Sequence, residues 1–106
     1  GRYDEALARF SRLIERDPTF AEAWNRRATL YYLMGNFDAS VRDIQETLAR
    51  EPRHFGALSG LGLINSALER WDSAVKAYEE ALRVNPFLPG AKKNVEDLRK
   101  KLEQDI

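Results

Sequence analysis

Shifted against itself by 34 residues, the chain aligns like with like at seven places. Tyr3, Phe37 and Trp71 coincide, as do Asp4, Asp38 and Asp72, and Ala6, Ser40 and Ala74. Leu7, Val41 and Val75 follow, then Phe10, Ile44 and Tyr78, then Ile14, Leu48 and Leu82, and the series closes on Pro18, Pro52 and Pro86. Counted from the first aromatic, apolar or small residues recur at offsets 0, 3, 4, 7, 10 and 11, the spacing of one face of an α-helix. A unit this short cannot bury such a face alone, so its copies must stack.

The residues between these stripes behave as punctuation. Gly1 and Gly35 precede two of the helices, where a tight turn calls for a residue tolerant of positive φ. Glu69 stands at that place in the third copy. Each aspartate in a first turn suits the positive end of a helix dipole. Pro18, Pro52 and Pro86 follow Asp, Glu and Asn and should each end the helix before it. Two further helices are expected between the stripes, at Phe20–Met34 and Phe55–Leu68. The unit is thus a helix–turn–helix of 34 residues.

At these positions the chain resembles the tetratricopeptide repeat family. Trp24, Ala28, Tyr31, Gly35, Phe37, Ile44 and Pro52 occupy the motif in one unit, and Leu58, Leu61, Gly62, Trp71, Ala74, Tyr78, Ala81 and Pro86 in the next. The departures are Arg27, Asn65, Ser40 and Thr47, where aliphatic, aromatic and alanine residues are usual. The resemblance implies an all-α, right-handed solenoid of antiparallel helix pairs. Residues 1–20 would be the second helix of an incomplete repeat, 21–54 and 55–88 two full repeats, and 89–106 a capping helix. In that last segment Ala91, Val95, Leu98 and Leu102 can pack on the preceding helix, while Lys92, Glu96 and Arg99 face away, as the end of an array requires.

Composition excludes several function classes. Seventeen basic residues balance seventeen acidic ones, so no net field draws the chain to nucleic acid or to a membrane surface. Cysteine is absent, which removes thiolate metal sites and cysteine nucleophiles. The single His54 adjoins a turn and reads as a turn residue, not a metal ligand. The glycines from Gly56 to Gly62 follow a proline turn and lack the Lys-Ser/Thr ending of a phosphate loop. Asp43, Glu46, Glu79 and Glu80 read as solvated carboxylates beside Arg42 and Lys76. No cofactor is expected, and no enzyme. Arg27 shares a stripe with Ala23, Leu30 and Met34 and is expected to act structurally, its stem along the packed surface.

The resemblance also implies a concave groove lined by the first helices of the units, binding a peptide or helix of a partner protein. Carried onto this sequence, it takes Glu22, Asn25, Arg26, Thr29, Tyr32 and Leu33 from one repeat. It takes Gly56, Ser59, Gly60, Leu63, Ser66 and Ala67 from the other, and Lys93 and Asp97 from the cap. Solvated helix surface is the plainer reading of several of these. The small residues Gly56, Ser59 and Gly60 beside Tyr32 and Leu63 suggest a shallow apolar wall. A carboxylate clamp, the family's grip on chaperone tails, is not expected. Its asparagine would fall on Arg26, its basic residues on Gly56 and Gly60, and its first helix lies outside the chain.

A second reading uses the other end. The first helix presents Tyr3, Leu7, Phe10 and Leu13 with no partner helix before it, so self-assembly through that face is the alternative function. The chain begins Gly1-Arg2 without an initiator methionine, and the N-terminus reads as a cut. Cellular location stays open, although the stretch from Arg53 to Gly62 looks like bacterial members of the family, some of them exported.

Overall fold

A computed structural model describes residues 1–104. The C-terminal residues of the expected cap, Asp105 and Ile106, lie outside the described residues. Six helices account for the described chain, which has no strand: α1 (Arg2–Arg16), α2 (Ala21–Leu33), α3 (Phe37–Arg50), α4 (Phe55–Ala67), α5 (Trp71–Val84) and α6 (Ala91–Gln104). None is long and apolar enough to cross a membrane. Two compact units result, Gly1–Pro52 and Arg53–Ile106. In the first, α2 packs against both α1 and α3; in the second, α5 packs against both α4 and α6. The expected all-α architecture of paired helices is the one observed. Phe20, Met34 and Leu68, read from the sequence as helical, are cap residues instead.

The prolines act through the residue before them. Asp17, Glu51 and Asn85 are the C-cap residues of α1, α3 and α5, with φ between −142° and −134° and ψ between 84° and 91°. Steric conflict with the following pyrrolidine ring pushes each of them out of the helical region. The first turn is pinned further. Trp24 Nε1 donates to the Pro18 carbonyl at 2.9 Å, and Arg50 donates to the same oxygen while its guanidinium lies 4.5 Å from the Trp24 ring centre. At the starts of α3 and α4, Asn36 Oδ1 accepts from the Ala39 amide and His54 Nδ1 from the Ala57 amide, at 3.3 and 3.0 Å. His54 is therefore a helix cap, which requires its ring proton on Nε2.

Both α2 and α4 end in the same motif. After α2, Gly35 donates to Tyr32 O and Asn36 to Tyr31 O; after α4, Glu69 donates to Ser66 O and Arg70 to Asn65 O. This closure needs a left-handed residue, and Gly35 supplies φ 78°. Glu69 is forced to φ 57°, where its Cβ crowds the backbone. Glu69→Gly is accordingly expected to stabilise the chain by about 1 kcal/mol and to raise Tm by roughly 4–8 °C for a domain of this size. Calorimetry would detect it, and an unchanged or lower Tm would show that the turn carries no strain.

Small residues set the helix spacing inside each unit. Gly62 of α4 abuts Tyr78 of α5 so closely that a Cβ built on it would lie 2.6–2.7 Å from the ring. Ala28 of α2 holds the corresponding place beside α3, and Ser40 Oγ donates to the Ala28 carbonyl at 2.6 Å. Thr47 likewise spends its hydroxyl on the Asp43 carbonyl of its own helix, at 2.8 Å. Both departures from alanine are thus buried with their hydrogen bonds made. In the second unit Ala74, Val75, Tyr78, Ala91 and Leu98 form the core, and Val95 and Leu102 of α6 pack on its edge.

Candidate functional site

The surface of α2 is oriented by a partly buried ion pair. Arg27 reaches across to Asp43 of α3, its Nε 2.7 Å from Oδ2 and its Nη2 2.9 Å from Oδ1, while Nη1 donates to Ser11 Oγ of α1 at 3.2 Å. One guanidinium thereby ties three helices. Its carbon also lies 5.3 Å from the Trp24 ring centre and 5.9 Å from that of Tyr31. The hydrogen bond to Asp43 raises the Arg27 pKa, with burial opposing. The expectation of a solvated Asp43 is therefore corrected: it is 4% exposed. Its position between Ser40, Ile44 and Thr47 puts it on the buried stripe of α3, which is the signal that composition alone obscured. Glu46, by contrast, does lie on the surface and pairs with Arg50 at 2.7 Å.

With Arg27 turned inward, the opposite side of α2 faces out. A cavity of about 380 Å³ opens between α1 and α2, lined by Phe10, Leu30 and Leu33 together with Glu22, Asn25, Arg26 and Thr29. Five expected groove residues (Glu22, Asn25, Arg26, Thr29 and Leu33) come together there. Arg26 Nε is 3.8 Å from a Glu22 carboxylate oxygen, and both side chains are largely in solvent, so the pair is weak. Thr29 Oγ1 donates back to the Asn25 carbonyl at 3.1 Å. Tyr32 is not part of this lining; it stacks on Phe37 at 5.6 Å between ring centres. Phe10, assigned from sequence to the self-assembly face, joins the cavity.

The α4 face belongs to the second unit. Gly56, Ser59, Gly60 and Ser66 are half-buried, and Leu63 is 45% exposed. Ser59 Oγ is buried with no hydrogen-bond partner among the described residues. Ala67 is exposed. On α6, Lys93 pairs with Asp97 at 3.1 Å, one turn apart in solvent. At the start of the chain Tyr3 and Leu13 are exposed, and Leu7 is half-buried. Leu13 sits among Arg9, Arg12 and Arg16.

Among the described residues no group of three His, Cys, Asp or Glu side chains is placed to hold a metal ion.

Comparison with known proteins gives a consistent picture. A family model described as "Tetratricopeptide repeat" matches residues 26–91, and a second, "TPR repeat", matches residues 1–35. A TPR repeat-containing protein of Rhizobium etli is 43% identical over 101 residues, covering 95% of this chain and 50% of that protein. Hsp70-Hsp90 organizing protein 3 of Arabidopsis thaliana is 28% identical over 99% of this chain and 20% of its own length. The chain thus spans half or less of these relatives. Among solved structures, the first TPR of Spaghetti (RPAP3) bound to the HSP90 peptide SRMEEVD superimposes with a TM-score of 0.90 and 25% identity, covering 97% of this chain and 82% of that one.

Proposed function

We propose that this chain, which belongs to the tetratricopeptide repeat family, is a protein–protein interaction module that binds a peptide or helix of a partner protein through the first helices of its repeats. The repeats in this reading run over residues 21–54 and 55–88, with 1–20 the second helix of an incomplete repeat and 89–106 a cap. Binding residues would be Asn25, Arg26, Thr29, Tyr32 and Leu33 on α2, Gly56, Ser59, Gly60, Leu63 and Ser66 on α4, and Lys93 on α6. The observation that carries the reading is the α2 cavity, lined by both apolar and polar side chains, the composition of a site for an extended chain. The peptide held by the structural relative adds support by likeness.

The chemistry of the bound segment should differ from a tail gripped by its terminal carboxylate. Gly56 and Gly60 offer no cation, and Arg26 already has Glu22 beside it. An apolar side chain seated on Leu33, with backbone hydrogen bonds to Asn25, fits better.

The test is a peptide selection on the immobilised chain, repeated with Leu33→Lys and Leu63→Lys. Each substitution should weaken the selected peptides by roughly tenfold or more while circular dichroism stays unchanged. Amidating the peptide C-terminus should make no difference. Affinity indifferent to both substitutions would sink the reading. The alternative of self-assembly has no comparable observation in its favour.

A further inference from the structure

The turn between α5 and α6 carries the most exposed large apolar side chain among the described residues. Phe87 is 89% exposed, and Leu33, the next in order, 58%. The repeat does not require an aromatic there, because in the 34-residue register its counterparts are Thr19 and Arg53. Both counterparts are exposed too, although each is followed by at least two further helices of its own unit. Continuing the array thus leaves this position in solvent. Nor does the turn need a ring. Asn85 Oδ1 accepts the Phe87 amide at 3.2 Å, and Asp17 Oδ1 accepts that of Thr19 at 3.2 Å.

The ring is held out on a pinned backbone. The Asn85 carbonyl accepts the Leu88 amide at 3.1 Å, and the Leu88 carbonyl accepts the Ala91 amide at 3.3 Å. Leu88 packs against the core of the second unit, and Pro86 and Pro89 restrict the chain around it. Little ordering remains to be lost when the ring is bound, which favours affinity. The complement of one aromatic on a rigid turn is a pocket sized for one ring.

Charge narrows the surroundings of that pocket. From Ala81 to Val95 the chain has no acidic residue and three basic ones, Arg83, Lys92 and Lys93. Arg83 pairs with Glu80 and Lys93 with Asp97, whereas Lys92, exposed in the first turn of α6, is in no ion pair among the described residues. A carboxylate facing Lys92 would complement it. A bilayer fits less well. Stable attachment there takes a larger apolar insertion or a polybasic patch beside it, and with Leu88 turned to the core the loop has one ring to insert.

We propose that Phe87 is the anchor by which the α5–α6 turn docks on a second protein, the ring entering an apolar pocket with a carboxylate at its rim facing Lys92. This contact uses none of the groove residues assigned above, so it stands or falls separately from the function proposed there.

Benzoylphenylalanine, a photoreactive phenylalanine, tests it in the cells that make the protein, installed in place of Phe87 and, as controls, of Thr19 or Arg53. Illumination should join position 87 to one discrete protein at least about tenfold more efficiently than either control. The residues it reaches should be apolar, with Asp or Glu beside them. Binding of the purified captured protein should weaken at least about tenfold with Phe87→Ser, and K92E should weaken it by an amount that shrinks as salt rises. Phe87→Ser should leave the unfolding temperature unchanged, since the ring is in solvent. Leu33→Lys, which should break groove binding, should leave this contact intact. Equal cross-linking at the three positions, or none at position 87, overturns the proposal. So does a cross-link to lipid, to a second copy or to another segment of the same chain, and so does a captured protein that binds the Phe87→Ser variant as well.

Discussion

Asp43→Ala is expected to cost the fold about 3–5 kcal/mol, because it leaves the Arg27 guanidinium inside the first unit without its carboxylate. A domain of this size has on the order of 5–15 kcal/mol in all, so the substitution should bring the first unit close to unfolding at ordinary temperature. The repeat itself supplies the control. In the 34-residue register, Arg27 and Asp43 correspond to Leu61 and Ala77 of the second unit, an apolar pair. The double variant R27L/D43A should therefore recover most of the loss, since removing both charges together also removes their desolvation cost. Urea titrations of the single and double variants measure both quantities. A single variant as stable as the original chain would mean that water reaches Arg27 freely, and its partial exposure of 19% would then outweigh the pair.

Gly62→Ala is expected to destabilise by about 1–3 kcal/mol, although alanine is the better helix former by nearly 1 kcal/mol. The sign follows from distance. Carbon atoms in contact prefer about 3.5–4.0 Å, and the new methyl would stand 2.6 Å from Tyr78 Cζ, inside a core where that ring is 4% exposed. Either the ring leaves its rotamer or α4 moves off α5. Here too the first unit shows the solution, because Ala28 and Ile44 occupy the same two places. G62A/Y78I should regain stability relative to G62A, the volume added on α4 being given up on α5. Thermal unfolding followed at 222 nm reads the series, and a stabilised G62A would show that the two helices separate without cost.

These paired predictions indicate how much of the protein is legible as a string of residues. The six helices follow from a spacing of apolar residues that a helix alone satisfies, and their ends follow from Pro18, Pro52 and Pro86, whose rings act on the residue just before them. Gly35 is readable for the same reason, since the need for positive φ is a property of one residue and its neighbours. Glu69, at the place of Gly35 in the third copy, is a non-glycine residue held left-handed, because the hydrogen-bonded ending of α4 leaves its backbone no other conformation.

The candidate site was legible only in outline. Asn25, Arg26, Thr29 and Leu33 share a helix face by periodicity, so their grouping could be expected from the sequence. That Phe10 joins them, that Tyr32 turns to Phe37, and that Arg27 finds Asp43 sixteen residues away depend on which helix lies across from which.

The sequence by itself determined the repeat, the helices and their caps, because each rests on interactions reaching no further than about four residues along the chain. Only the tertiary structure decided which charges are buried and paired, where a methyl group will not fit, and which way Phe10 and Tyr32 turn. Those outcomes depend on distances between helices, and they are set when the packed side chains fill the space between them.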